Sequence, residues 1–264
     1  MKKLQVFIVV YLILFQLAAV ASDPFRFALF TDTHISISNP TAAKDLRNAI
    51  AEVNALQNID FVLVDGDISN SGDIVSLDEA KRLLQTLKMP FYIVPGNHDF
   101  RWNIGAGASG FIHVFGDDKF IFTHKDMVFA GFATVPLNHD ALNATIQQAD
   151  IDWMKKALNK AGKKKPTFIV THYPLLTGDV ANWKEMTDVL HKFNVKAILN
   201  GHYHRNVLLN YDGIPGIVNR STLRAKSPVG GYSIYSVSDS LTVSEKRIGQ
   251  EEEMWLALPL NITK

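Results

Sequence analysis

The sequence predicts an α/β fold. From Pro24 onward, short apolar runs alternate with helical apolar stripes. Five of those runs stop at a cluster of Asp, Asn or His. After His204 the alternation ends and only short β-like stretches follow.

The five runs are Phe25 to Phe30, Phe61 to Val64, Phe91 to Val94, Thr167 to Val170 and Val195 to Leu199, and each reads as a buried strand. Between them, Leu46, Ile50 and Val53 mark one helical face, with Asn39-Pro40 as its start signal. Leu77, Ala80, Leu83, Leu84 and Leu87 mark a second face. Ile151, Met154, Leu158 and Ala161 mark a third, and Met186, Val189, Leu190 and Phe193 a fourth. Core packing explains each stripe. Lys119 to Thr123 and Met127 to Ala133 predict a hairpin across His124-Lys125-Asp126. The stretches Val207 to Leu209, Ile214 to Val218, Tyr232 to Val237 and Leu241 to Ile248 are expected in a second sheet. Lys163-Lys164-Lys165 before Pro166 reads as a solvated loop.

The N-terminus is a separate matter. Lys2 and Lys3 precede an apolar run from Val6 to Phe15, and Ala19-Val20-Ala21 offers small residues where a signal peptidase reads them. Residues 1–21 are expected to be a signal peptide, and residues 22–264 one domain of an exported, periplasmic or secreted protein. The alternative is an uncleaved anchor, with Leu4 to Ala21 at the short end for a membrane span. Membrane contact is expected only in that case.

Composition narrows the class. With 27 basic and 26 acidic residues, the chain has no charge bias toward nucleic acid, and no specific nucleic-acid binding is expected. With no cysteine, disulfide scaffolds, thiolate metal sites and cysteine nucleophiles are excluded. Any metal must be held by imidazole, carboxylate, amide or backbone groups.

The chemistry lies where the five strands end. They run into Thr31-Asp32-Thr33-His34, Asp65-Gly66-Asp67, Gly96-Asn97-His98-Asp99, Thr171-His172-Tyr173-Pro174 and Asn200-Gly201-His202-Tyr203-His204. In open α/β sheets, ligands bind outside the carboxyl ends of the strands. Any one cluster could be a turn or a helix cap. Five in order, each directly after a strand, are hard to explain as turn chemistry. Asp32, His34, Asp67, Asn97, His172, His202 and His204 are seven possible metal ligands. One four-coordinate ion leaves several of them idle, whereas two ions sharing a bridging carboxylate use them all. Two-metal sites clamp the attacking and leaving oxygens of an in-line displacement. The donor mixture suits Zn, Mn, Fe or Co better than Mg or Ca. The expected reaction is hydrolysis at phosphorus.

This series resembles the five-block signature of the calcineurin-like metallophosphoesterases, across roughly residues 25 to 205. The resemblance implies a four-layered α/β/β/α sandwich of two mixed sheets, with a dimetal site at the strand C-terminal edge. It implies that Asp32, His34 and His204 hold the first ion, that Asn97, His172 and His202 hold the second, and that Asp67 bridges them. A hydroxide between the ions would attack phosphorus. His98 would stand near the leaving group, oriented by Asp99. Gly66-Asp67-Ile68-Ser69-Asn70 and the run from Pro90 to Asp99 are most similar to class III cyclic-nucleotide phosphodiesterases. Two features depart from that branch: His172 is followed by Tyr-Pro, and a signal peptide is unexpected for an enzyme of an intracellular messenger.

The reading is an exported dimetal phosphohydrolase acting on a small phosphoester, with a phosphodiester as the leading substrate. The alternatives are a phosphomonoesterase acting on nucleotides or other small phosphate esters, and a non-catalytic scaffold or phosphate sensor of the same fold. A purple-type acid phosphatase expects a tyrosine three residues after the bridging Asp, where this chain has Asn70. Arg220 and Arg224 are open to two readings, as substrate contacts or as surface residues. Phe100, Trp102, Tyr173 and Tyr203 could stack on a base or pack in the core.

Overall fold

The computed structural model describes residues 23–100, 108–136 and 143–260. The expected signal segment, Arg101 and Trp102 lie outside them. Among the described residues, no helix is long and apolar enough to cross a membrane.

Two six-stranded sheets face each other. In chain order the strands are β1 (Phe25–Phe30), β2 (Phe61–Asp65), β3 (Phe91–Val94), β4 (Phe120–His124) and β5 (Met127–Gly131). They continue with β6 (Val135–Pro136), β7 (Ala144–Thr145), β8 (Thr167–Val170), β9 (Val195–Asn200), β10 (Val207–Tyr211) and β11 (Ile214–Val218). The last three are β12 (Gly231–Val237), β13 (Ser240–Arg247) and β14 (Glu252–Pro259). The first sheet has the order β14-β13-β12-β1-β2-β3 and the second β10-β11-β9-β8-β5-β4, while β6 and β7 form a small pair. Both are mixed: β1, β2 and β3 run parallel, as do β5, β8, β9 and β11, and the flanking strands run antiparallel.

Side-chain alternation makes the layers. Along β1, Phe25, Phe27 and Leu29 point between the sheets, where they meet Phe61, Phe129, Phe168 and Tyr235. The Phe27 ring stacks on Tyr235 at 4.7 Å and on Phe61 at 5.0 Å. Ala28 and Phe30 point the other way, onto α1 (Pro40–Ala55) and α2 (Ile74–Leu84). The short α3 (Ser109–Phe115) joins that layer through Phe111 and Val114. On the second sheet, Val128, Ile169 and Ile198 pack under α4 (Gln148–Ala161) and α5 (Trp183–Leu190). Three separate cores therefore make four layers, α/β/β/α, as the resemblance implied.

Asn39 caps α1 by accepting from Thr41 N at 3.2 Å, with Pro40 in the first turn. The predicted hairpin is β4 and β5, closed by Lys125 and Asp126, both at positive φ as a two-residue hairpin turn requires.

One expectation is corrected. The stretches after His204 do not share a sheet: β10 and β11 extend the sheet of β8 and β9, while β12 pairs with β1 and carries β13 and β14 with it. The open edge of β1 had its backbone groups to satisfy, and β12 satisfies them in register from Phe25↔Val237 to Leu29↔Ser233. Tyr232 and Ile234 then face the helices, and Tyr235 and Val237 face the second sheet.

Candidate metal centre

The C-terminal ends of β1, β2, β3, β8 and β9 converge, and the loops leaving them build one site. Their backbones are unusual. Asp32, His34, Asp67, His202 and His204 all adopt left-handed φ, between 46° and 69°. A non-glycine residue there costs about 1–2 kcal/mol, and such residues cluster at functional sites because the surrounding structure holds them. Gly66, at φ 74°, lies so near His172 that a Cβ would stand 2.6 Å from its ring.

Three of the side chains, Asp32, Asp67 and His172, are each aimed by a bond to one atom that leaves another facing the site. Asp32 Oδ2 accepts from Thr31 Oγ1 at 2.7 Å and from His202 N at 3.1 Å. Asp67 Oδ1 accepts from His98 N at 2.8 Å. His172 Nδ1 donates to the Asp65 carbonyl at 2.8 Å, which fixes the tautomer and turns Nε2 inward.

The freed atoms face one another. His204 Nε2 is 3.0 Å from Asp32 Oδ1 and 3.2 Å from His34 Nε2, and His34 Nε2 is 3.8 Å from Asp32 Oδ1. Two donors on one tetrahedral ion with bonds of ~2.1 Å stand about 3.4 Å apart, so this triangle has the size of a coordination shell. A second cluster joins Asp67, His172 and His202, with His172 Nε2 3.2 Å from Asp67 Oδ2. Asp67 Oδ2 is also 3.8 Å from His34 Nε2, so it stands between the two clusters. Asn97 lines the same cavity. Asp32 Oδ1, Asn97 Oδ1 and His172 Nε2 are buried without a hydrogen-bond partner. Orphaned buried donors and acceptors are costly unless something binds them, and here they carry the chemistry of metal ligands.

Burial and the site's own charges set its electrostatics: the carboxylates Asp67 and Asp32 draw His172 and His204 upward against burial. Burial pushes Asp67 up, but His172, His34 and His98 outweigh it and hold the carboxyl below the ordinary range. Burial, then His172, pushes His202 down to about 4, so its imidazole is neutral and free to ligate.

One neighbour differs from expectation. Asp99 does not orient His98. Its oxygens accept from Ile68 N, Ser69 N, Ser69 Oγ and Gly96 N, at 2.8 to 3.1 Å, so it staples the loop after β2 to the loop after β3. A carboxylate surrounded by backbone N–H groups has its own demand, and it turns inward to meet it. The Asn70 carbonyl orients His98 instead, accepting from Nδ1 at 2.8 Å. Sequence reading missed Asn70 in that role, since only a backbone atom is used.

The aromatic neighbours also resolve. Phe100 and Tyr173 are buried, and the Tyr203 hydroxyl is bonded to Asp179. Arg220 is buried with its Nε 3.1 Å from Glu245 Oε1, and Arg224 grips Asp45 with Nε and Nη2.

Fold and site together define a phosphoesterase of the metal-dependent kind. The chain belongs to the calcineurin-like phosphoesterase family, which it matches over residues 25–206. It is a hydrolase acting on phosphoester bonds. Among its relatives, a probable glycerophosphodiester phosphodiesterase of Arcobacter nitrofigilis is 29% identical over 66% of this chain and 70% of its own. A probable cyclic nucleotide phosphodiesterase of Vesicomyosocius okutanii is 26% identical over 89% of this chain and 98% of its own. Of solved structures, a purple acid phosphatase from yellow lupin seeds superposes with TM-score 0.66 at 12% identity, over 90% of this chain and 53% of that one. That likeness concerns the fold.

Proposed function

We propose that the protein is a phosphodiesterase acting on a small phosphodiester. Asp32, His34 and His204 would hold one transition-metal ion, Asn97, His172 and His202 a second, and Asp67 would serve both. When bound, such ions supply Lewis-acid polarisation of the phosphoryl group and a nucleophile from water at neutral pH.

His98 is the leaving-group acid in this reading. With Nδ1 held by the Asn70 carbonyl, Nε2 turns toward the cavity, 3.9 Å from Asp67 Oδ2. A leaving alkoxide needs a proton, and imidazole can provide one near neutral pH.

The charge of the cavity wall carries the choice of diester. The cavity is about 360 Å³, and no Lys or Arg lines it among the described residues. Ser36, Ser38, Asn39 and Asn70 form its neutral side. Arg220 and Arg224 are already committed to Glu245 and Asp45. A monoester dianion is commonly met by extra cationic donors, whereas a diester monoanion is neutralised by the metal site alone. The names of the relatives, glycerophosphodiester and cyclic nucleotide phosphodiesterases, support the same reading. The test compares kcat/KM for bis(p-nitrophenyl) phosphate with that for p-nitrophenyl phosphate, at matched metal and pH. The diester is expected to be the better substrate, and a monoester preference would overturn the reading.

Export belongs to the proposal as well. It rests on Lys2, Lys3, the apolar run and Ala19-Val20-Ala21, and it puts the mature N-terminus at Ser22. N-terminal sequencing of exported protein would return Ser22; Met1 would favour an anchor.

A further inference from the structure

The loop after β9 carries two of the proposed ligands, His202 and His204, both in left-handed backbone. Such a loop keeps its shape only where its surroundings impose it. At its base, Asn200 Nδ2 donates to the Thr171 and Tyr173 carbonyls, and Gly201 N donates to the His172 carbonyl. These bonds secure the start of the loop, ahead of both ligands.

Beyond Gly201, His202 N donates to Asp32 Oδ2 at 3.1 Å, and the side chain of the residue between the two histidines makes a second tie. The Tyr203 hydroxyl donates to Asp179 Oδ2 at 2.5 Å. The Arg205 guanidinium sits 5.9 Å from the same ring. Asp179 is itself fixed: its N–H donates to the Leu176 carbonyl at 3.1 Å, and its carbonyl accepts from Ala144 N, in β7, at 2.7 Å. The bond therefore joins the histidine loop to the loop that leaves His172.

We propose that Tyr203 and Asp179 are positioning residues of the metal centre, a hydrogen-bonded strut that sets the distance between His202 and His204 on one loop and His172 on the other. Neither touches the substrate or the reacting atoms. Their effect runs through the backbone of residues 202–204. Without the strut the loop has easier conformations to adopt, and the ligand atoms no longer stand at coordination distance before an ion arrives. The proposal rests on the reading of these histidines as ligands.

The test is Mn(II) binding to the full chain after chelation, read by calorimetry, alongside the melting temperature of the metal-free protein. Tyr203→Phe keeps the ring and loses the bond, and Asp179→Ala loses the acceptor. Each should weaken Mn(II) binding about tenfold, the lower end of what partners outside the ligand set contribute. Asp179→Asn keeps an oxygen for the hydroxyl and should stay within about threefold of the wild type. The double variant Tyr203→Phe/Asp179→Ala should bind no more weakly than either single one, because one bond is lost only once. Wild-type affinity in Tyr203→Phe would overturn the proposal. So would additive losses, an Asp179→Asn as weak as Asp179→Ala, or a fall in metal-free melting temperature with no change in affinity. If Tyr203→Phe did not fold, the Asp179→Asn and Asp179→Ala pair would still decide. A wild-type chain that bound no Mn(II) would instead sink the ligand reading itself.

Discussion

Histidine meets carboxylate at both ends of this sandwich, in different ways. At the amino end of β2, His124 Nε2 is bonded to Asp60 Oδ2 at 2.7 Å, with Lys125 Nζ 3.5 Å from the same oxygen. The His124 ring rests edge-on against Phe25 at 4.9 Å. That cluster is partly exposed and its atoms are paired. At the carboxyl end, Asp32 Oδ1, Asn97 Oδ1 and His172 Nε2 are buried without hydrogen-bond partners, on loops with left-handed residues. Residue types alone do not separate the two clusters. Several buried imidazole, carboxylate and amide atoms left without hydrogen-bond partners at one place do, because such atoms are costly unless something binds them.

Substitution should expose the contrast most sharply at the carboxylates and histidines. Asp67→Asn is expected to remove essentially all phosphodiester turnover and to lower the content of both ions, since Asp67 Oδ2 stands between the two clusters. His124→Ala should leave turnover intact and cost no more than about 1 kcal/mol of stability, as partly exposed ion pairs do. Metal analysis and assay of the two purified variants would check this pair. His98→Ala should lower kcat by roughly two to four decades with metal content kept. Loss of one metal equivalent in that variant would make His98 a ligand.

Two glycines sharpen the same comparison. Gly66 and Gly213 both have positive φ, 74° and 102°. A Cβ at Gly66 would strike His172, while at Gly213 it would meet nothing within 4 Å. Gly66→Ala should therefore cost about 3 kcal/mol or more and displace the metal site. Gly213→Ala should cost only the backbone strain, about 1 kcal/mol. Chemical denaturation of both variants would measure the difference.

Much of the site was legible because its signal is local. A strand that ends in Asp-x-His or His-x-His carries its chemistry in consecutive residues, and the five clusters appear in order. What was not legible depends on distant partners. Nothing near Arg224 announces Asp45, which lies 179 residues away, or distinguishes a bound guanidinium from a free one. The strands after His204 look alike in sequence, and which sheet each joins is decided by which edge is open. Asp99 sits beside His98 in the chain, yet the short 3-10 turn of residues 97–100 carries its carboxylate away to the backbone of Ile68 and Ser69. The α3 helix, of seven residues, has no side-chain cap to announce it.

A small effect outside the proposed ligands separates fold from function. Asp73 caps α2, accepting from Ser76 N at 2.9 Å. Slight burial pushes its carboxyl up, but the bonds from Ser76 and Ser71 outweigh it and hold the carboxyl low. Because the folded value is depressed, the stabilisation is complete above the ordinary Asp value of 3.8 and fades as the pH falls through the folded one. Asp73→Ala should cost about 1 kcal/mol near neutral pH, with a smaller difference from the wild type in acid and no change in metal content. Urea titrations at two pH values would show it.

If the buried atoms at the carboxyl edge that lack hydrogen-bond partners are metal ligands, phosphoester turnover depends on the ions they hold. Turnover of bis(p-nitrophenyl) phosphate by exhaustively chelated protein, before and after addition of Mn(II), tests it most directly. The structure predicts that turnover disappears on chelation and returns with the metal. Full turnover in the chelated protein would contradict it.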